Sequence, residues 1–279
     1  MPEGDTIHRT AQALQRALGG RTVVRFDSVL PGVMRVHDEY PVTGRDIARV
    51  DAVGKHVVMR FSGALVLRTH LRMHGAWHLY RPGERWQRAG DAMRVLVATV
   101  DAEAVAFDVP VVELVPAASD DALPALRRLG PDLLAPVPDI AEAVRRIAMR
   151  PQAMLGEVLL DQTAVAGIGN VFKSEVLHVA GEHPFTRVGL LSPERLQRLV
   201  LIASRLLAQN ARGDGSGRGR GGRRTTGRLD PAARLWVYGR GARPCRRCGT
   251  AIRWQRQGPH ARSTYWCPAC QPEAEPRQT

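Results

Sequence analysis

Two residue types are scarce in this sequence, lysine and cysteine. Lysine occurs only at Lys55 and Lys173 among 279 residues, so arginine supplies nearly all of the positive charge and few side-chain amines are available for chemistry. No apolar run reaches the length that crosses a membrane, and the start of the chain lacks a charged-then-apolar leader. The sequence therefore predicts a cytoplasmic protein without membrane-spanning segments.

The charge balance is strongly positive. The 40 lysines and arginines exceed the 27 aspartates and glutamates, which gives a net charge of +13 at pH 7 and a pI near 10.9. Such a balance indicates a polyanionic partner. Hydrophobic residues make up 44% of the chain, enough for packed cores, and the length allows two domains and one small module.

The four cysteines lie near the carboxyl end in two Cys-x-x-Cys pairs separated by 18 residues. They are Cys245, Cys248, Cys267 and Cys270. This spacing is typical of a zinc ribbon, in which four thiolates hold one structural Zn²⁺ and leave no position open for water. The alternative is two disulfides, but no secretory leader suggests an oxidising compartment. Arginines in or beside the pairs favour a nucleic-acid contact. They are Arg243, Arg246, Arg247, Arg253, Arg256 and Arg262.

The first part of the chain changes from a helical to a strand pattern. Residues 5–18 predict a helix with Asp5 as its cap, one apolar face, and Gly19-Gly20 at its end. Short β-rich runs separated by turn residues then continue to about Leu114, which predicts a β-sandwich or barrel. The clearest runs are 22–29, 56–61, 64–69, 93–100 and 104–108.

Helical patterns dominate the second part. Helices are predicted at 139–149, 171–179 and 193–211, the last with Ser192 as its cap. The Arg/Gly tract, residues 212–228, has 7 glycines and 6 arginines in 17 residues, which indicates a flexible linker or a disordered arm on a phosphate backbone. The predicted divisions are a domain at 1–116, a linker at 117–138, a helical domain at 139–211, a flexible segment at 212–232, and a zinc ribbon with its tail at 233–279.

The amino terminus offers a candidate nucleophile. A small second residue usually permits removal of the initiator methionine, which would leave Pro2 with a free secondary amine. An α-amino group has a pKa of about 7.7–8.0 against about 10.4 for lysine, so a useful fraction is unprotonated at neutral pH. Such an amine attacks an aldehyde-level carbon to form an iminium, and Glu3 could act as general acid or base. Many chains begin Met-Pro-Glu by chance, so this opening alone does not define a site.

Two glycine-containing segments have both a structural and a functional interpretation. Gly54-Lys55-His56 lies at a turn into a strand, where the lysine is either solvated or in contact with a phosphate. Gly167-Ile168-Gly169-Asn170 precedes a helix and is either a turn or a phosphate-binding loop.

A third segment, residues 69–75, closes a strand before a glycine. One interpretation is an ordinary turn with a methionine in the core. The other is a wedge made by Arg72, Met73 and His74, which would fill the space left in a base stack by an extruded base.

These signals occur together in one order along the chain. They are MPEG at 1–4, GK at 54–55, VLLDQ at 158–162, GIGNVFKSE at 167–175, and a ribbon ending in RSTYWCPAC at 262–270. In this combination the chain resembles the formamidopyrimidine-DNA glycosylase and endonuclease VIII family of base-excision repair enzymes. The match is distributed over nearly the whole chain, and the combination is highly specific although most of its pieces are not.

The resemblance implies a fold and a partner. The fold would be α+β, with an N-terminal β-sandwich flanked by a helix, a helical domain carrying a helix–two-turn–helix, and a C-terminal zinc ribbon. The partner would be double-stranded DNA containing damaged bases or abasic sites. The protein would bind this DNA as a monomer associated with the nucleoid. It would contain one structural Zn²⁺ ion and would need no redox cofactor.

The resemblance also implies roles for individual residues. Pro2 would attack the anomeric carbon of the sugar, and Glu3 would assist opening of the sugar ring. Lys55 would be the third catalytic residue and would bind a phosphate near the lesion. Asn170 and Arg262 would bind neighbouring phosphates. The void-filling loop would consist of Arg72, Met73 and His74.

Within the family the sequence is closer to the endonuclease VIII branch, which acts on oxidised pyrimidines. Asp161-Gln162 is similar to that branch, whereas in the oxidised-purine branch a lysine usually follows shortly after this point, and here none does. Thr6 stands where the family usually has a second glutamate.

The alternatives to this function are an oxidised-purine glycosylase of the same family, a DNA-binding protein without catalysis, and an RNA-associated zinc-ribbon protein.

Overall fold

The structure, a computed structural model, describes residues 2–116, 123–212 and 222–273. Within these ranges the chain divides into two compact units, one ending at residue 128 and the other beginning at residue 129. None of the helices in the described ranges combines the length and the apolar character needed to span a bilayer.

Among the described residues of the first unit, eight strands form two antiparallel sheets. They are β1 Arg25–Ser28, β2 Ile47–Val53, β3 His56–Phe61, β4 Leu65–His70, β5 Ala76–Tyr80, β6 Met93–Ala98, β7 Glu103–Phe107 and β8 Val111–Pro116. One sheet has the order β2-β3-β4-β8 and the other β1-β6-β7-β5. Their facing sides share one apolar core, so the predicted β-sandwich is confirmed.

The second of these sheets is apolar on both faces. In β6, Val95 lies in the core between the sheets, whereas Leu96 packs on the outer face with Phe107. This follows from the strand geometry, because successive side chains point to opposite faces. Trp86 covers part of the outer face, with its ring centroid 5.6 Å from that of Phe107.

Helix α1, Gly4–Leu18, flanks the sandwich and contributes its apolar face to the core. It begins one residue earlier than predicted, with Glu3 as the N-cap, so the expectation that Asp5 caps it is wrong. Asp5 lies inside the first turn, where the helix dipole favours a negative charge, and its carboxylate is 3.5 Å from Arg9 Nη1.

Four elements of the first unit are not named individually by the sequence patterns. They are helix α2, Pro31–Glu39, and strands β2, β5 and β8. Helix α2 starts in a Pro-Gly pair typical of a turn and fully buries only Val33, while Met34 and Val36 pack partly buried on the core, so its apolar pattern is weak. The predicted strand at 22–29 is shortened to β1, and Thr22 makes only an isolated bridge with Asp46. A short helix, α3 Pro124–Arg127, lies in the predicted linker.

The second unit begins with helices α4 Ile140–Ala148, α5 Leu155–Val158, α6 Asn170–Ala180 and α7 Pro193–Ala211. The predicted cap of α7 is present, because Ser192 accepts a hydrogen bond from the backbone N–H of Arg195 at 3.4 Å. Helix α4 is capped by Asp139, which accepts from the backbone N–H of Glu142 at 2.9 Å. Every residue of α6 except Val179 is buried, so this helix is the centre of the unit.

The carboxyl-terminal part of this unit is the predicted ribbon. Strands β9, Arg253–Gln257, and β10, Arg262–Trp266, form a two-stranded antiparallel sheet, and the cysteine pairs lie on either side of it in the chain. Thr264 and Gln257 are buried, and Thr264 Oγ1 donates a hydrogen bond to Gln257 Oε1 at 2.9 Å.

Residues 213–221 of the Arg/Gly tract lie outside the described residues. Where the described chain resumes, Asn210 at the end of α7 bonds both backbone groups of Arg224. Its Oδ1 accepts from the N–H at 2.7 Å, and its Nδ2 donates to the carbonyl oxygen at 2.8 Å. The guanidinium of Arg223 lies 5.5 Å from the centroid of the Phe172 ring. The composition of the tract does not predict these contacts.

Candidate active site and metal centre

The start of α1 holds the candidate nucleophile and its carboxylate neighbour. Pro2 is half-buried and lies two residues before the first helical residue. Glu3 is fully buried, and its carbonyl oxygen accepts hydrogen bonds from the backbone N–H groups of Thr6 at 2.9 Å and Ile7 at 3.0 Å. The helix dipole favours a negative charge at this end and offsets part of the cost of burying the carboxylate. A rigid helix start therefore fixes Glu3 beside Pro2.

Lys55 lies at the tip of the hairpin between β2 and β3. Val53 pairs with His56 across a two-residue turn, and Gly54 has a φ of +58°, which glycine adopts without a Cβ penalty. Lys55 is half-buried. Its ammonium group is therefore presented by a tight turn between two paired strands.

Next to this hairpin lies a group of four side chains that we call the histidine cluster: His56, His70, Arg68 and Glu113. The rings of His56 and His70 meet edge to face, with centroids 4.7 Å apart. Arg68 is 2% exposed and donates from Nη1 to His56 Nδ1 at 2.7 Å. Its other nitrogens pair with both carboxylate oxygens of Glu113, at 2.9 and 2.7 Å. The bidentate ion pair fixes the orientation of the Arg68 guanidinium, and its hydrogen bond in turn fixes the ring of His56.

Both rings of the histidine cluster are neutral at physiological pH. Burial is the main cause that lowers the pKa of His56 to about 3 and that of His70 to about 4, and the positive charges of Arg68, Arg72 and Lys55 lower both further. The same charges make this surface attractive to an anion such as a phosphate.

The candidate wedge joins β4 to β5. Arg72, Met73 and His74 are all exposed, Met73 by 49%. Arg72 has a φ of +51°, an uncommon value for a residue with a Cβ, and its backbone N–H donates to His70 Nδ1 at 3.2 Å. The histidine cluster therefore holds the first residue of the loop, while the three side chains remain in solvent.

In the second unit, the side chain of Asn170 bonds the backbone of the residue that follows Arg262. Asn170, the first residue of α6, is 6% exposed and donates from Nδ2 to the carbonyl oxygen of Ser263 at 2.9 Å. Its Oδ1 has no hydrogen-bond partner among the described residues. Arg262 precedes Ser263 and is exposed. The amino terminus of a helix suits a phosphate, and the exposed Arg262 lies in the chain immediately before the residue that Asn170 bonds.

The second lysine does not belong to the candidate site. Lys173 is fully buried in α6, and its Nζ donates to Thr264 Oγ1 at 2.6 Å and to the carbonyl oxygen of Ser263 at 3.3 Å. It therefore ties α6 to β10. Lysine is seldom fully buried, so residue type alone predicts a solvated side chain here.

Glu175 is a second residue of α6 whose role the sequence does not reveal. Its carboxylate is fully buried and accepts from the backbone N–H groups of Trp236 at 2.7 Å, Val237 at 2.9 Å and Tyr238 at 2.8 Å, and from the hydroxyl of Thr225. Burial raises the pKa of Glu175, and the four donated hydrogen bonds oppose that shift. Glu175 thereby ties α6 to the segment that follows the Arg/Gly tract.

Asp161 and Gln162, which carry the resemblance to one branch, organise the loop before α6. Asp161 Oδ1 accepts from the backbone N–H of Thr163 at 2.9 Å. Gln162 Oε1 accepts from the N–H of Gly167 at 3.1 Å, and its Nε2 donates to the carbonyl oxygen of Ile168 at 3.1 Å. These bonds fix the loop that leads into Asn170.

The four cysteine sulfurs lie within 4.8 Å of one another. Cys248 Sγ is 3.4 Å from both Cys267 Sγ and Cys270 Sγ, and Cys245 Sγ is 3.9 Å from Cys270 Sγ. Four thiolates at ~2.3 Å from a tetrahedral ion are about 3.8 Å apart. The cluster therefore fits one metal ion with an all-sulfur ligand set.

Two known domain families match the chain. The formamidopyrimidine-DNA glycosylase N-terminal domain matches residues 1–110, and the formamidopyrimidine-DNA glycosylase H2TH domain matches residues 129–219. The chain therefore belongs to the formamidopyrimidine-DNA glycosylase family, as the sequence motifs predict.

Among relatives, the probable endonuclease 8 2 of Streptomyces coelicolor is 42% identical, over 99% of this chain and 96% of that protein. The DNA-(apurinic or apyrimidinic site) lyase Nei2 of Mycolicibacterium smegmatis is 38% identical, over 97% of this chain and 99% of that protein. The predicted closeness to the endonuclease VIII branch is confirmed by these similarities.

Solved structures show the same fold. The Lactococcus lactis formamidopyrimidine-DNA glycosylase bound to DNA containing an abasic site has a TM-score of 0.79 and 23% identity, covering 98% of this chain and all of that one. MutM in complex with DNA containing carbocyclic 8-oxo-G has a TM-score of 0.80 and 24% identity, with the same coverage. The predicted α+β architecture is confirmed.

Proposed function

We propose that this protein is a base-excision-repair DNA glycosylase that also cleaves abasic sites, with Pro2 as its nucleophile. The observation that carries the proposal is the position of Glu3, a fully buried carboxylate fixed by the start of α1 directly after a half-buried Pro2. Membership of the family and the similarity to a lyase acting at abasic sites support the same chemistry.

The reaction follows from an amine and an acid held side by side. After removal of Met1, the Pro2 nitrogen forms a bond to C1′ of the damaged nucleotide as the glycosidic bond to the base breaks. The departing base takes a proton from water. The Glu3 carboxylate accepts the proton that the Pro2 nitrogen loses and passes it to the ring oxygen of the sugar, so that the ring opens and C1′ carries an iminium. The iminium acidifies the hydrogens at C2′. Loss of one of them expels the 3′ phosphate by β-elimination, and a second elimination releases the 5′ side.

The damaged base must leave the duplex before Pro2 reaches the sugar, at a cost of about a few kcal/mol. The exposed loop of Arg72, Met73 and His74 has the long side chains to fill the vacated space. Lys55, Asn170 and Arg262 are proposed to bind phosphates, each supported by the positive or donor-rich surroundings described above.

The metal of the ribbon is proposed to be Zn²⁺. Four sulfur ligands suit zinc and leave no position for water, so the ion would hold the ribbon together and take no part in the reaction. We also propose that the protein works on chromosomal DNA in the cytoplasm as a monomer, in keeping with its net charge of +13.

The preferred substrates are proposed to be oxidised pyrimidines, because the similarity by sequence is to proteins named endonuclease 8. Duplexes containing thymine glycol or 8-oxoguanine test this point. Faster cleavage of the thymine glycol duplex is expected, and a strong preference for 8-oxoguanine would assign the protein to the purine-directed alternative.

The central test is covalent trapping. The protein is incubated with a duplex containing an abasic site and borohydride, which reduces the iminium to a stable amine. An adduct is expected, with peptide mass spectrometry locating it on Pro2, and Pro2→Ala should lose most of it. Intact mass first establishes that Met1 has been removed. No adduct from protein that lacks Met1 and binds the duplex normally would favour the non-catalytic alternative.

A further inference from the structure

A histidine of α6 lies against the metal cluster. His178 is fully buried, and its Nε2 is 3.6 Å from Cys245 Sγ, within hydrogen-bonding distance for sulfur. Cys245 Sγ also accepts the backbone N–H of Arg247 at 3.4 Å. This one sulfur of the cluster is therefore placed to receive two N–H groups, one of them from outside the ribbon.

The surroundings of His178 decide which ring nitrogen carries the proton. Its Nδ1 is buried and has no hydrogen-bond partner among the described residues. A neutral imidazole has one N–H and one bare nitrogen, and a buried N–H without an acceptor costs about 1–3 kcal/mol. A metal-bound thiolate is an acceptor only. The proton therefore belongs on Nε2, where it points at Cys245, and the bare nitrogen is Nδ1.

The ring is held in this orientation by stacking. Trp236 lies against His178 with ring centroids 5.3 Å apart and an interplanar angle of 26°. Trp236 is itself fixed, because its backbone N–H donates to Glu175 and its Nε1 donates to the carbonyl oxygen of Thr225 at 3.2 Å. The guanidinium of Arg247 lies 5.6 Å from the centroid of the Trp236 ring.

We propose that His178 is a positioning residue of the metal centre, donating its Nε2–H to the thiolate of Cys245 and coupling α6 to the bound ion. The inference rests on the proposed Zn²⁺ site. Four thiolates around a divalent ion carry a net charge of −2, and hydrogen bonds to the sulfurs disperse that charge. Partners of this kind also orient the ligands, and their loss typically weakens metal binding by about 10–100-fold.

The variant test measures release of zinc to a chromogenic chelator. Metal analysis first establishes one zinc per chain; absence of metal would refute the zinc site itself, independently of the role of His178. His178→Phe keeps the stack on Trp236 and removes the N–H, so release about tenfold faster is expected. His178→Gln supplies an amide N–H near the same place and should restore slower release.

His183→Phe is the matched control, because His183 is a buried histidine of the same unit that packs on Trp266. It should release zinc at the rate of the unaltered protein. Equal release from His178→Phe and the unaltered protein would overturn the proposal.

A second measurement needs no variant. Long-range ¹H–¹⁵N correlation on the zinc-loaded protein with labelled histidine reports the tautomer of each ring. The proton of His178 is expected on Nε2. A proton on Nδ1 would overturn the proposal even if every variant failed to fold.

Discussion

The substitution Glu175→Gln tests how α6 is joined to the chain that leads into the ribbon. In the fully buried carboxylate, one oxygen accepts from the N–H groups of Val237 and Tyr238, and the other from the N–H of Trp236 and the hydroxyl of Thr225. Glutamine has nearly the same shape but offers one oxygen and an NH₂ group. The substitution therefore changes the acceptors without opening a cavity.

The expected loss of stability follows from these bonds. If the amide oxygen faces Val237 and Tyr238, the NH₂ group faces the N–H of Trp236, which then lacks an acceptor at a cost of about 1–3 kcal/mol. The two retained bonds change from a charged to a neutral acceptor, which weakens each by about 1 kcal/mol. Removing a buried charge offsets part of this sum, because burial already raises the pKa of Glu175. We expect a net destabilisation of about 3 kcal/mol.

Equilibrium urea unfolding followed by circular dichroism at 222 nm measures this change, since α6 and α7 contribute much of the helical signal. Glu142→Gln is the matched control: it makes the same charge change in the same unit, on α4, where the ion pairs with Arg145 and Arg146 are partly exposed to solvent. Little change is expected for it. Equal effects of the two substitutions would refute the reasoning, because net charge rather than the buried acceptor would then govern stability.

Two further predictions concern pH and phosphate contacts. His56 and His70 have a folded-state pKa of about 3 and about 4, below the 6.5 of an unfolded histidine, so the stability of the first unit should fall as the pH falls from about 6.5 to 4; urea unfolding at several pH values measures this. His56→Gln should make that dependence shallower, and an unchanged profile would contradict it. Arg262→Ala should weaken DNA binding about equally for different sequences and reduce the salt slope by about 1, measured by fluorescence anisotropy, whereas Arg145→Ala should do neither.

The parts of the fold that the sequence predicts are those with strong local signals. Helix α7 begins and ends where its cap and apolar stripe place it, because Ser192 and the residues of the stripe act within the helix itself. Helix α2 is missed because its Pro-Gly start and single buried residue give no such signal. Asp5 is misassigned as a cap because the helix already begins at Gly4, and helix boundaries are the least certain feature of a sequence pattern.

The residues of the site also differ in whether the local sequence indicates their role. The cysteine spacing predicts a shared metal site, because each pair is local and the geometry of the ion is known. Glu175 and His178 have no local signal, since the groups that they contact lie 50 to 67 positions later in the chain. The roles of Pro2, Lys55 and Arg262 remain predictions that the experiments above test.

The scarcity and placement of lysine also determine how the protein should be handled. Lys173 is 0% exposed, so amine-reactive reagents have Lys55 and the terminal amine as their accessible targets. Both belong to the proposed reactive surface, and thiol-reactive reagents would attack the cysteines that hold the metal. Coupling this protein to a sensor chip through amines or thiols would therefore modify the proposed DNA-binding and catalytic groups or release the metal. Immobilising the DNA and leaving the protein in solution avoids that loss.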